Sequence, residues 1–592
     1  VRKIHVSRKL LSKYKTIEQA VLDANDGDHI EIDAGVYREK IVIAKSVKLI
    51  GVSSDPEDVI LSGSVTIIEN ASVSVKNLTF AKSDLGLVIE KGHVEVVHCQ
   101  FNQIKKYAID VKEQGHLSLT DATIRHNGIG LYITGRARAE YCAFYGQLGS
   151  QVYVGGKGRF IMKHAHIYQG QSTAFNFDQQ SKSLIENCQI YGHHSENMQI
   201  KAQGQSEATF QDCFIYESQS GAAQSLDDAR ISFQTCKITD NYPIQLNSEG
   251  GQLVLRNSHL ETGDIAIAVR NSGNAQIENS MLTSHTNHHV TVEAGSIYVY
   301  RSTIKFGEKS GITLANNAYA HIESSDIFGH HLPQVAASER ARLSIKHSSV
   351  FYGKHYGLWL TENASAHIAH CRFYENEFNQ IVIADQSEAE IDDVQVFEGS
   401  QSGLYIKDNS HAMVSNSVFY HHHDLYPQIY VSNESTLSMN ESRLFDSYES
   451  GIRFEQQSSG LIEHCQLTGH YEAQIDVRRS TPTVRECLIE NGGTCAVRLL
   501  HAGGFIENCS FVGHEHNIAI GGACETEIIG QEADALRQYA EALSQTQELE
   551  AELSNEEVQR AMKKAQEEAD REARTAEIVG LVEQLEERLG KK

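Results

Sequence analysis

Ile185-Glu186-Asn187-Cys188-Gln189-Ile190 and Ile462-Glu463-His464-Cys465-Gln466-Leu467 are two copies of one short pattern. It runs: an apolar residue, two turn-forming residues, a small residue, any residue, an apolar residue. The pattern recurs about every 23 residues from Asn77 to Ile520. Its small position passes through Leu78, Cys99, Ala122 and Cys142 and ends with Cys465, Cys487 and Cys509. A unit this short has no room for a helical hairpin, and its apolar residues alternate with polar ones, as in Leu404-Tyr405-Ile406 and Ile429-Tyr430-Val431. Each unit therefore reads as three short strands, for example Gly403 to Ile406, Ala412 to Val414 and Ser417 to Phe419.

The bend before the small residue holds Asn187, Asn257, Asn279, Asn416, Asn508, Asp212, Asp393, His98, His347, His370 and His464. Asn, Asp and His are the non-glycine residues that best tolerate a left-handed backbone, so this row predicts a ladder of left-handed corners. The expected fold is an all-β solenoid, a right-handed parallel β-helix of about twenty coils. A short N-terminal α/β cap (1–45) precedes the β-helix (46–524), and an acidic α-helical tail (525–592) follows it.

On these repeats the chain resembles the pectin-lyase-like superfamily and the repeats of carbohydrate-binding proteins and sugar hydrolases, over roughly residues 30 to 520. The resemblance implies the fold, and leaves the function to be argued from a site. Thr16 to Gly63, with Gly35-Val36-Tyr37-Arg38-Glu39, resembles the opening region of pectin methylesterases. Ser325-Asp326-Ile327-Phe328-Gly329 is similar to a motif of that family, but its neighbouring Gln-bearing and Arg-Pro-Trp motifs are missing, so no catalytic role is carried over.

The net charge of -25 argues against nucleic-acid binding and for a rod that repels anionic surfaces. Nine of the 11 cysteines occupy the small position, which makes them core residues interchangeable with Ser and Ala. The opening Val1-Arg2-Lys3-Ile4-His5-Val6 has no apolar run of leader length and no segment reaches membrane-spanning length. With many free thiols, this places the protein in the cytoplasm with no membrane insertion; a mature secreted chain is the other reading.

At the ends, Thr16-Ile17-Glu18-Gln19 fits a capping box opening a helix from Ile17 to Ala24. The tail carries Leu536, Tyr539 and Leu543 at helical spacing and a terminal seam of Ile578, Val582, Leu585 and Leu589. It is read either as a cap for the open coil or as a docking element. Some bacterial proteins that resemble this one place such a tail before an AAA-type ATPase module, but no phosphate-binding Gly-rich loop with Lys occurs here.

Catalytic constellations are not evident. Asp227-Asp228 and Asp392-Asp393 fall at turns, whereas glycosidic cleavage needs two carboxyl groups facing each other across a sugar. Histidines cluster in the longest loops, at His193-His194, His330-His331, His421-His422-His423 and His470. Gly311, Gln334, Gly357, Gln380, Gly403, Gln428, Gly451 and Gln474 alternate, so the true repeat there is two coils. No metal or other cofactor is expected.

The best candidates for recognition lie at the outward middle position of the first strand, read as including Tyr132, Tyr153, Gln199, Gln245, Trp359, Tyr405 and Tyr430. The aromatic members Trp359, Tyr405, Tyr430, Tyr132 and Tyr153 suit sugar rings or a protein partner. The leading expectation is a non-catalytic intracellular scaffold or binding rod. Its tail would dock a protein, an AAA-type ATPase or a secretion component, through Ile578, Val582, Leu585 and Leu589. The alternative is a carbohydrate-binding or polysaccharide-active protein.

Overall fold

The computed structural model describes residues 1–530. It is an all-β right-handed parallel solenoid of about 23 turns. At about 4.8 Å per turn the rod is roughly 110 Å long. One turn consists of Leu404–Ile406, His411–Ser415 and Val418–Tyr420, and each strand pairs in parallel with its equivalent in the next turn, Leu404 with Ile429, His411 with Thr436 and Val418 with Arg443. Inward residues of all three strand columns form one continuous apolar core.

Every corner residue named from the sequence has a positive φ, for example 54° at Asn187, 49° at His347 and 52° at Asn508. The small position that follows is more than a space filler. Ser280 donates its backbone N–H to Ser302 Oγ (3.1 Å), Ser302 does the same to Ser325 Oγ (3.0 Å), and each hydroxyl donates to the carbonyl two residues back. In the cysteine turns the thiols of Cys188 and Cys213 make the same backward bond at 3.2 Å. Ser and Cys recur because one small polar atom satisfies two backbone groups left over at the corner. All 11 cysteines are free.

At the N-terminus Thr16 Oγ1 accepts the Gln19 N–H (3.2 Å) and opens the helix Ile17–Asp23. Glu39 adds a second cap, its carboxylate accepting the N–H groups of Ile17 (3.1 Å) and Glu18 (2.8 Å). Lys3–Val6 pairs with His29–Ile32, and that strand with Lys48–Gly51, so the sheet runs unbroken through residue 45. At the other end Glu527–Ile529 still pairs with Phe505–Glu507. Ile17–Asp23 is the one α-helix among the described residues; the expected helical tail, with Ile578, Val582, Leu585 and Leu589, lies outside them.

The two-turn alternation of Gly and Gln has a steric cause. Gln151, Gln199, Gln245, Gln334, Gln380, Gln428 and Gln474 are all fully buried, as are His193, His285, His289, His330, His422 and His470. Together they form an internal polar column at the mouth of the first strand. The turns between must be thin: a Cβ at Gly353 would lie 2.1 Å from Gln334 Nε2, and one at Gly403 would lie 2.9 Å from the His422 ring. Gln199 and Gln245, expected on the outer row, belong to this column; the outer row holds Lys201 and Asn247 instead. Of the histidines expected in the longest loops, His193, His330, His422 and His470 are likewise in the interior, while His194, His331, His421 and His423 are exposed.

Candidate functional site

The five aromatic candidates do not make one site. Along the outer row Tyr132 and Tyr153 are neighbours, as are Tyr405 and Tyr430, while Trp359 sits between Ala336 and Val382. Ten turns, about 48 Å, separate Tyr132 from Trp359. The rings also stack on each other and cover the faces a sugar would use. Tyr132 is held between Tyr107 (4.6 Å) and Tyr153 (4.7 Å), and Tyr405 lies 4.8 Å from Tyr430 with ring planes 5° apart. Their hydroxyls are engaged as well: Tyr153 donates to Asp178 (3.1 Å) and Tyr430 to Glu455 (2.7 Å). Trp359, 36% exposed, has one ring contact among the described residues, an edge contact with Tyr356 at 6.2 Å between centroids. The stacked tyrosines are rungs of the solenoid before they are a binding surface.

Beside the Tyr107, Tyr132 and Tyr153 stack, the turn from first to second strand opens into a cleft of 860 Å³ lined by Arg136, Lys157, Arg159, Gln179, Gln180, Gln205 and one carboxylate, that of Glu113. Gly135 forms part of its floor, where a Cβ would strike the Lys112 carbonyl at 2.1 Å. Most cations nearby are matched: Lys112 with Asp110 (2.8 Å), Lys163 with Glu186 (2.6 Å), Lys182 with Glu207 (2.8 Å), and Arg138 with Glu140. Arg136, Lys157 and Arg159 have no carboxylate partner among the described residues. Arg136 and Arg159 are moreover in register on adjacent strands, followed by Lys182. Like charges directly opposite each other destabilise a sheet, and an anion placed between them relieves that cost.

Asp110 lies on the same face, 3% exposed, with one oxygen on Lys112 and the other without a partner. Burial pushes its carboxyl pKa up, against the pull of Lys112. Lys112 is raised by its bond to Asp110 and remains half-exposed. Lys112, not Asp110, is therefore the member of this pair a ligand can touch.

Other polar clusters are closed on themselves. Asp476, fully buried, is ringed by Arg453 (3.2 Å), Arg478 (2.8 Å) and Arg498 (3.6 Å), and Arg498 also binds Glu472 (2.6 Å). The corner histidines His347 and His370 stack at 4.7 Å, and His370 pairs with Asp393 at 2.7 Å. In the internal column Gln151 donates to His193 Nε2 (2.9 Å), His193 Nδ1 donates to Gln199 (2.9 Å), and Gln199 donates to Asn241 (2.9 Å). This chain fixes His193 as the neutral Nδ1–H tautomer. Burial pushes His193 and His330 down to about 4, and His285, His422 and His470 to about 3. Among the described residues no group of three or more His, Cys, Asp or Glu side chains is arranged to hold a metal ion, and no helix is long and apolar enough to cross a membrane.

Sequence reasoning found Tyr132 and Tyr153 but missed Tyr107, Asp110, Lys112 and the cationic cleft. Tyr107 precedes the row that was read, and the three cations are spread over residues 136 to 159 of an acidic chain. Their signal was present in Arg136 and Arg159, 23 residues apart, which fall at the same place in successive repeats.

No curated protein sequence matches the chain. Among solved structures it is similar to the periplasmic alginate epimerase AlgG (9% identity, 65% of this chain and 78% of that one, TM-score 0.27). It is also similar to pectate lyase Pel9A (12% identity, 47% and 79%, TM-score 0.29) and to the PL6 family alginate lyase AlyGC (9% identity, 89% and 100%, TM-score 0.25). At these values they are likenesses of fold. The expectation of a non-catalytic scaffold rod is corrected at this point. The docking seam on which it rested lies outside the described residues, and a cationic trio without a carboxylate partner among the described residues lies in an open cleft on the rod. The family model described as the right-handed β-helix region matches residues 107–259, 244–396 and 379–533, more than half of the sequence, and the chain belongs to that family.

Proposed function

We propose that this β-helix binds an acidic polysaccharide across the first-strand face and first turn of the coils between Tyr107 and Glu207. The observation that carries the reading is the trio Arg136, Lys157 and Arg159, cationic and without a carboxylate partner among the described residues, in a cleft of a chain whose net charge is -25. Charges farther than about 8 Å are screened at physiological ionic strength, so the trio sets the local potential despite the acidic rod. Guanidinium forks match sugar carboxylates, and the amides of Gln179, Gln180 and Gln205 match hydroxyls on the same chain.

Affinity electrophoresis of the full chain in gels containing a polyuronate or an uncharged glucan tests this. Retardation by the polyuronate alone, weakening with salt and lost in Arg136→Glu/Lys157→Glu/Arg159→Glu, is the expected result. Equal retardation by the uncharged glucan, or polyuronate binding that survives the triple substitution, refutes it.

A further inference from the structure

The core is covered at the N-terminal end of the rod. The helix Ile17–Asp23 packs over the first strands and buries Ile17, Ala20 and Val21, and the core beside it, at Ile4, Val6 and Ile30, is 0–2% exposed. One loop stands out from this cap. Ser7 to Tyr14 leaves the first strand and returns to it, tied by the Ser7 N–H to the Tyr14 carbonyl (3.1 Å), by the Ser12 hydroxyl to the same carbonyl (2.9 Å) and by the Tyr14 hydroxyl to Asp23. At its tip the Ser12 N–H donates to the Lys9 carbonyl (3.1 Å), which makes a tight turn with Leu10 and Leu11 as its two central residues. Gly, Asn, Asp, Ser and Pro are the usual occupants of such positions. Leu10 and Leu11 are instead 87% and 98% exposed and, with Val1, are the most exposed large apolar side chains among the described residues.

The surroundings of this tip are cationic. Arg8 and Lys9 precede the leucines, and Lys13 and Lys15 follow them. Arg8 donates to the Val36 carbonyl (2.7 Å), Lys9 and Lys13 come no nearer to a carboxylate than 3.8 and 3.7 Å, and Lys15 has no carboxylate partner among the described residues. Between the loop and the first strand lies a cleft of 380 Å³ lined by Arg2, Lys3, His5, Lys13 and Tyr14 among others, with no Asp or Glu in its lining. Arg2 and Lys3 are also held by Asp28 (3.4 Å) and Glu31 (2.6 Å). Residues 1–48 carry ten Lys and Arg against seven Asp and Glu in a chain whose net charge is -25, so this is a basic end of an acidic rod.

We propose that this end is a peripheral membrane anchor: the Leu10–Leu11 tip enters one leaflet at the headgroup boundary, while Arg8, Lys9, Lys13, Lys15 and the cleft engage the phosphates of anionic lipids. Long Lys and Arg stems keep their charges among the headgroups as the leucines sink. A bilayer accepts a convex apolar tip without a matching pocket, which a protein partner would have to supply. The rod is roughly 110 Å long. Standing end-on, it keeps all but its first turns beyond the distance of about 8 Å over which charge is felt at physiological ionic strength, so its acidic coils do not oppose the contact.

The test sediments the full chain with vesicles of phosphatidylcholine alone or of a two-to-one mixture of phosphatidylcholine and phosphatidylglycerol. The expected result is sedimentation with the mixed vesicles only, weakened by salt. It should fall by about tenfold or more in Leu10→Ser/Leu11→Ser and in Lys13→Glu/Lys15→Glu, and stay as in the parent in Arg136→Glu/Lys157→Glu/Arg159→Glu. Both leucines lie outside the core, so the unfolding midpoint of the serine variant should match the parent's. A parent that does not sediment, a serine variant that sediments as well as the parent, or binding lost with the Arg136, Lys157 and Arg159 substitutions overturns the proposal. Retention on polyglutamate beads without vesicle binding also overturns it and assigns the tip to an acidic protein.

Discussion

Acidification should unfold this rod well above the pH at which its carboxylates protonate. The cause is the internal column. Six imidazoles, of His193, His285, His289, His330, His422 and His470, are 0–1% exposed. Burial holds five of them at about 3 to 4 and His289 well below its ordinary value. In the unfolded chain each titrates near 6.5. Above pH 6.5 both states are neutral and the histidines make stability independent of pH. As the pH falls from 6.5 towards 4 the unfolded chain takes up protons that the folded one refuses, so stability falls; below the folded values the loss levels off. At pH 5 the loss is about 2 kcal/mol per histidine, from 1.5 units at 1.36 kcal/mol each, and about 12 kcal/mol for six as an upper bound. A whole domain is typically stable by about 5 to 15 kcal/mol.

Carboxylates act later. Asp28, lowered by the Asn25 N–H, and Asp392, lowered by the Asn416 amide, withdraw their contributions only below about pH 4. Guanidinium midpoints followed by circular dichroism at pH 7.5, 6.5, 5.5 and 5.0 should therefore be level above 6.5 and drop steeply below it. Because a solenoid opens turn by turn, hydrogen exchange at pH 5 should accelerate first in residues 280–480 and last in 29–120, where no buried histidine lies. A midpoint at pH 5 equal to that at pH 7.5 would refute the internal placement of these side chains.

Two further outcomes follow from the turn-to-turn contacts. Ser302→Ala leaves the Ser280 N–H without its acceptor and should lower stability by about 1 to 3 kcal/mol, measured as a midpoint shift, whereas Ser302→Cys should recover most of the loss. Gly403→Ala drives a Cβ into the His422 ring and should cost about 1 to 3 kcal/mol; combined with His422→Ala, the two losses should add to less than their sum, and strict additivity would count against the size-matching of alternate turns.

The repeat, its corners and its apolar register were legible because each is a local requirement written once per turn. Asn187 or His347 declares a left-handed corner by its own side chain, and Ile185 and Ile190 declare an inward face by their spacing. What escaped the sequence depends on the neighbouring turn. A histidine in a polar loop reads as exposed until the Gln and Asn side chains that pair with it are known: His193 is buried only because Gln151, 42 residues away, and Gln199 satisfy both its nitrogens. The Gly/Gln alternation was visible, but its meaning, that a large buried polar side chain needs a glycine above and below it, exists only across turns. The outer face posed the opposite difficulty. Tyr405 and Tyr430 read as an aromatic surface, yet stacking at the strand spacing turns their faces to each other and leaves edges outward. The same spacing makes the cationic cleft: Arg136 and Arg159 are 23 residues apart, neither is unusual alone, and only their register, with no carboxylate between them, makes a place that an anion would improve. In a solenoid the informative unit for function is thus the column, one residue from each successive turn. A sequence read along the chain samples every column once per turn and shows none of them whole.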